Sequence, residues 1–113
     1  MCNYKTWYYE EKTGYVIECD KCKKMQVGFG TVQLTFNEED FTSFRKYLED
    51  FNKGNDTFTK PGIKNFFIPT SCAGVSLLLN KRELDDLNNM LDHADNEMRA
   101  AELIGLFYQE EKG

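Results

Sequence analysis

The sequence lacks any long apolar run, and no stretch approaches the roughly 18 residues that a membrane span needs. Its first residues, MCNYKTWYYEEK, are polar or charged where a signal peptide would carry an apolar core. We therefore expect a cytoplasmic protein that does not enter the membrane. In that compartment the four cysteines are expected to be thiols or metal ligands rather than disulfides.

The chain also lacks the excess of basic residues that binding to nucleic acid requires. It carries 14 Lys and Arg against 19 Asp and Glu, a net charge of −5, which argues against a dedicated nucleic-acid binder. The sequence contains a single histidine, His93. We expect it to be solvated or packed at the edge of a helix. A catalytic set of Cys72, His93 and Asp92 is formally available. However, Asp92 points about 100° away from its neighbour around a helix, and the residues around Cys72 match no nucleophile motif.

What is present is enough for one globular domain, residues 1–113, with 41% hydrophobic residues and nine Phe. Residues 4–9 and 15–19 are aromatic and β-branched runs, and the polar connection between them ends at Gly14. This pattern predicts an N-terminal β-hairpin.

Residues 31–51 read as a strand, a helix cap and an amphipathic helix. Apolar and polar residues alternate up to Phe36, Asn37 is a predicted N-cap, and Phe36 and Phe41 are spaced as a hydrophobic staple. The helix is expected to end at the polar segment 52–55.

The same order recurs in residues 63–108. Two strands, 63–68 and 75–79, precede Asn80 and Glu83, which form a predicted capping box, and a long helix could reach about Tyr108. Because Leu78 makes both faces of the second strand apolar, this strand is either central and covered on both sides or part of a dimer contact. The predicted fold is α+β: a mostly antiparallel sheet with an N-terminal hairpin and two strand-turn-strand-helix units, whose helices pack together on the sheet.

The two units, residues 23–52 and 66–95, are candidates for an internal repeat. At an offset of 43 positions, Val32, Leu34, Asn37 and Leu48 meet identical residues. Either the units arose by duplication, or both segments independently obey the same rules for caps and staples.

The one motif that could carry chemistry is Cys19-Asp20-Lys21-Cys22, since two residues between thiols let both sulfurs reach one tetrahedral ion. The hairpin register brings Cys2 near this pair as a third ligand. Cys72 could be the fourth ligand if the second hairpin lies antiparallel to the first. The sequence leaves two interpretations open: a structural zinc site at Cys2, Cys19 and Cys22 with Cys72 as the candidate fourth ligand, or plain reduced thiols.

Other charged and aromatic groups are weaker candidates. Lys21, Lys23 and Lys24 beside Glu18 and Asp20 read as a solvated turn, or as a small basic site for nucleic acid. A dense aromatic run at residues 7–9 could seal a dimer or a partner groove. Six carboxylates of the second helix are expected to form a solvated acidic face or a docking surface for a basic partner: Asp85, Asp86, Asp92, Asp95, Glu97 and Glu102.

A CxxC followed by a hairpin and strand-cap-helix units resembles uncharacterised families of bacterial proteins about 100 residues long, whose function is unassigned. Residues 19–22 alone resemble the knuckle of a zinc ribbon, although the second CxxC of that pattern is absent. The leading functional hypothesis is a non-enzymatic interaction module for an unknown protein partner, with a homodimer as one option. A thiol-dependent redox protein or enzyme is the alternative, and nucleic-acid binding through the CxxC and its lysines is a weaker one.

Overall fold

The computed structural model describes residues 3–54, 66–70 and 73–112, with side chains as far as residue 105. Within these ranges the chain forms six strands and two helices. The strands are β1 (Tyr4–Glu10), β2 (Gly14–Cys19), β3 (Met25–Phe29), β4 (Val32–Phe36), β5 (Phe66–Pro69) and β6 (Ser76–Leu79). The helices are α1 (Glu38–Gly54) and α2 (Lys81–Lys112). The predicted α+β fold is confirmed.

The first four strands form an antiparallel sheet in the order β1-β2-β3-β4. The N-terminal hairpin closes with Glu10 opposite Gly14, as predicted, and its other end pairs Tyr4 with Cys19. A β-bulge between Thr6 and Tyr8 shifts the register within this hairpin by one residue. The sequence does not predict this shift, because neither glycine nor proline marks it.

Helix α1 begins where its cap predicts. The Asn37 side-chain oxygen accepts the Asp40 N–H at 2.7 Å, and the Phe36 and Phe41 rings meet edge to face with centroids 6.4 Å apart. Phe41, Phe44 and Leu48 are buried. The predicted amphipathic face of this helix is confirmed.

The strands β5 and β6 form a separate two-stranded antiparallel sheet. Phe67 lies opposite Leu78 in its register, and these side chains are 66% and 44% exposed. The interpretation of β6 as a central strand covered on both sides is therefore wrong. Three consecutive leucines at the end of a short strand predict burial on both faces, whereas here one face packs on the core and the other stays exposed.

Helix α2 starts with the predicted capping box. The Glu83 N–H donates to the Asn80 side-chain oxygen at 2.8 Å, and the Asn80 N–H donates to the Glu83 carboxylate at 3.0 Å. The helix continues to Lys112, beyond the expected end near Tyr108 and through Gly105. Its predicted inner face is buried: Leu84, Leu87, Leu91, Ala94 and Met98.

The two units place corresponding side chains in one core, which holds Met25, Val27, Phe36, Phe66, Ile68, Leu77 and Leu79 among others. The offset of 43 holds for the second strand and the helix of each unit. In the first strand it falls to 41, because Val27 pairs with Leu34 whereas Ile68 pairs with Leu77. Phe29 at the end of β3 therefore corresponds to Thr70. The duplication itself stays a prediction.

A buried ion-pair cluster joins the two helices. Arg45 of α1 lies 3.5 Å from an Asp95 oxygen through Nε, and its side chain is 15% exposed. Asp95 also accepts a hydrogen bond from Arg99 at 2.8 Å. The expectation that Asp95 belongs to a solvated outer face is wrong, since the residue is 7% exposed. Its partner lies on another helix, which periodicity along α2 cannot reveal.

Candidate metal centre

Two of the four predicted ligands lie in the described part of the chain, at the end of β2 and in the turn that follows it. Cys19 is 1% exposed, and Cys22 is exposed. Cys2 and Cys72 lie outside the described residues, so their predicted roles as the third and fourth ligands stay predictions. Within the described ranges no three His, Cys, Asp or Glu side chains are grouped to hold a metal ion.

Cys19 is buried on the face of the sheet opposite the helices. Val16, three positions earlier on β2, faces the main core, and side chains alternate between the two faces along a strand. Cys19 is accordingly absent from the main core cluster although it is almost fully buried. Its side chain is therefore covered outside that cluster, beside the turn formed by residues 20–24.

The backbone of that turn curls around the Cys19 sulfur. The Cys22 N–H lies 3.5 Å from Sγ of Cys19 and donates to it. The Lys23 N–H donates to the Cys19 carbonyl oxygen, and the Cys19 N–H donates to the Lys24 carbonyl oxygen, both at 3.0 Å. The first of these bonds orients the Cys19 sulfur, as the second shell of a metal site does for its ligands, and the other two hold the Cys19 backbone against the turn.

Lys23 has φ 61°, and in the described residues it is the one non-glycine with positive φ. This left-handed conformation is uncommon for a side chain of this size. It turns the chain back immediately after Cys22, so that residues 19–24 form a closed loop. Sequence reasoning missed this strain, because neither Gly nor Asn marks the position.

The structure also gives Cys19 a disulfide bond, which differs from the reduced thiol or metal ligand expected from the sequence. A metal ligand must be a thiolate. A sulfur in a disulfide is therefore not available as a metal ligand unless the disulfide is first reduced.

The strand β1 is fixed beside this turn by polar contacts. Trp7 donates its indole N–H to Glu18 at 3.1 Å, and the Lys5 ammonium lies 5.6 Å from the Trp7 ring centre. The Asp20 N–H donates to the Asn3 carbonyl oxygen at 2.8 Å. The end of β1 that leads to Cys2 is thus attached to the segment that leads to Cys22.

Two of the three residues considered for catalysis, His93 and Asp92, are described, and both make structural contacts. The His93 side chain is 58% exposed and meets the Tyr8 ring edge to face, with ring centres 5.4 Å apart. An oxygen of Asp92 lies 3.8 Å from Arg45. The prediction of an edge-packed histidine is confirmed, and Asp92 turns toward α1. In the aromatic run, Trp7 and Tyr8 pack against the core, whereas Tyr9 is 70% exposed.

Residues 1–109 match the model of a family of unknown function (DUF6686). No curated protein and no solved structure matches the chain. Neither described helix is long and apolar enough to cross a membrane.

Proposed function

We propose the following function for this chain, which belongs to the DUF6686 family: it is a non-enzymatic cytoplasmic interaction module, whose N-terminal hairpin is held by a structural zinc ion. Cys19 and Cys22 supply two thiolates. Cys2 supplies the third and Cys72 the fourth. The protein partner is not identified, and pairing of two copies is compatible with the proposal.

The observation that supports the zinc site is the closed loop 19–24. Three backbone hydrogen bonds and the strained φ of Lys23 hold one sulfur buried and keep its CxxC partner adjacent. Backbone strain of this kind costs about 1–3 kcal/mol and persists where the surroundings or a ligand compensate for it. A tetrahedral zinc ion bound by thiolates would offset that cost.

The structural contacts of His93 and Asp92, two of the three residues considered for catalysis, support the non-enzymatic role. His93 packs on Tyr8, and Asp92 faces Arg45 of the other helix. The function therefore rests on surfaces and on a pinned hairpin rather than on a reacting group.

Elemental analysis of protein purified under reducing conditions without chelators tests the zinc site. We expect about one zinc per chain, and loss of zinc together with a lower melting temperature in the Cys19→Ser and Cys22→Ser variants. Protein without metal, and variants that melt like the wild type, would show that no structural zinc is present.

The disulfide at Cys19 favours the second candidate, a thiol-dependent redox protein. In that case a cysteine should be alkylated unusually fast at low pH. If the alkylation rate rises with pH around a midpoint of about 8.5, as it does for an ordinary cysteine, the result supports the interaction module and contradicts the redox protein.

A further inference from the structure

The Cys19 sulfur has two uses that exclude each other chemically. The structure joins it in a disulfide, whereas the zinc site proposed above needs it as a thiolate. The chain has four cysteines, and all four are ligands of the proposed site. Whichever cysteine of the chain pairs with Cys19, the disulfide therefore removes two of the four ligands at once.

The backbone that carries this sulfur is held by main-chain contacts. The Lys23 N–H donates to the Cys19 carbonyl oxygen, and the Cys19 N–H donates to the Lys24 carbonyl oxygen, both at 3.0 Å. Neither hydrogen bond uses the sulfur, so both are compatible with a disulfide and with a thiolate. A change between the two states therefore needs chemistry at the sulfurs rather than refolding of the loop 19–24.

Burial decides which sulfur of the disulfide a reductant attacks. The Cys19 side chain is 1% exposed, so its sulfur is screened from an external thiolate, which attacks the other sulfur instead. The bond between the two protein sulfurs breaks, and Cys19 leaves as a thiolate. The Cys22 N–H lies 3.5 Å from Sγ of Cys19 and is already placed to donate to that negative charge.

The charges of the loop suit the zinc-loaded state. Four thiolates outweigh the charge of one Zn²⁺, so the loaded site would be negative, whereas a disulfide is neutral. The loop 19–24 carries three lysines, Lys21, Lys23 and Lys24, against one aspartate, Asp20, and all four are exposed. Their net positive charge would offset the charge of the loaded site.

We propose that oxidation controls zinc binding at this site, with the disulfide of Cys19 as the zinc-free state. A reducing dithiol opens the disulfide, is itself oxidised to a disulfide, and leaves two protein thiolates that bind zinc. In the reverse step, two zinc-bound thiolates lose two electrons to an oxidant and join as a disulfide. The oxidant takes up two protons from solvent, and Zn²⁺ is released. This inference rests on the proposed zinc site and adds its regulation.

Zinc affinity of the full chain in both oxidation states tests the proposal. Metal-free protein is divided, one half is reduced with dithiothreitol and the other is oxidised with diamide, and both are desalted without oxygen. We expect the reduced protein to bind one zinc and the oxidised protein to bind it at least about a hundredfold more weakly, because even an outer-shell partner of a ligand is worth about 10–100-fold. Peptide mapping of the oxidised protein identifies the cysteine that pairs with Cys19.

Diamide added to the zinc-loaded protein tests the reverse step. We expect one zinc to be released for each disulfide formed, as measured with a chromogenic chelator, and dithiothreitol with added zinc should restore the loaded form. The hydrazine that diamide yields on reduction is the matched control. It has the same shape but no oxidising power, so it should leave the zinc bound.

Three results would overturn the proposal: equal zinc affinity in the two oxidation states, oxidation by diamide that leaves zinc bound, or a disulfide that does not include Cys19. If the reduced protein binds no zinc, the structural zinc site itself fails, and its regulation fails with it. Zinc bound equally well in both states overturns only the regulation and leaves the zinc site standing. The two failures are therefore distinguishable.

Discussion

Replacing Asp95 by alanine should destabilise the protein more than the loss of any other acidic side chain of α2. Its carboxylate is 10% exposed, and it lies 3.5 Å from Arg45 Nε and 2.8 Å from Arg99 Nε. The Arg45 Nε atom is buried and has no hydrogen-bond partner in the described residues, so the contact with Asp95 is ionic rather than a well-aligned hydrogen bond. Asp95→Ala therefore leaves a buried cation without its one buried counter-charge.

The size of the effect follows from distance and burial. At 3.5 Å and an effective dielectric constant of about 20, the attraction between Arg45 and Asp95 is about 5 kcal/mol before desolvation is counted. Breaking a buried pair usually costs about 3–5 kcal/mol. Arg45 keeps Glu49 at 3.2 Å and Asp92 at 3.8 Å, both more exposed, so we expect a loss of about 2–3 kcal/mol.

Urea unfolding followed by circular dichroism measures this loss, and Asp92→Ala is the matched control. Asp92 is 59% exposed and faces the same arginine, so its removal should change stability by no more than about 0.5 kcal/mol. Replacing the pair with apolar residues, Arg45→Met with Asp95→Leu, should restore most of the stability. If Asp95→Ala and Asp92→Ala lose the same small amount, the ion pair does not hold the helices together.

Three further predictions concern turns, caps and exposed charges. Gly14→Ala should lower stability by at least about 2 kcal/mol in urea unfolding, because φ is +152° and a Cβ there would lie 1.9 Å from a backbone carbonyl oxygen; a change below 0.5 kcal/mol would contradict this. Asn80→Ala should cost about 1 kcal/mol by removing the capping box with Glu83, and Asn80→Ser should recover most of it. A hydrogen bond from Lys53 and the charge of that lysine lower the pKa of Glu49. The contribution of this pair to folding stability is therefore fully present above the ordinary pKa of a glutamate, and it is lost as the pH falls through the lowered pKa of Glu49. In an NMR titration, Lys53→Ala should raise the pKa of Glu49.

Local rules in the sequence predicted much of this fold. The caps at Asn37 and Asn80 and the staple of Phe36 and Phe41 depend on residues within five positions of one another. Apolar spacing likewise predicted the buried faces of both helices. Such features are encoded locally, so one sequence is enough to place them.

The features that sequence reasoning missed depend on contacts between distant segments. Asp95 looks like any other carboxylate of α2 until α1 brings Arg45 to it. The bulge in β1 and the positive φ of Lys23 have no glycine or proline to mark them. The division into two sheets depends on how the two units pack against each other. The order of apolar and polar residues within β6 does not show which strand, if any, pairs with it on its other side.

The central claim is that a zinc ion bound through the loop 19–24 holds the N-terminal hairpin, and amide hydrogen exchange of β1 and β2 tests it most directly. Exchange is measured on reduced protein as purified, after chelation, and after zinc is added back. The account predicts that chelation speeds exchange in both strands by about tenfold or more, that zinc restores protection, and that α1 changes little. Equal exchange of the hairpin in all three samples would contradict it.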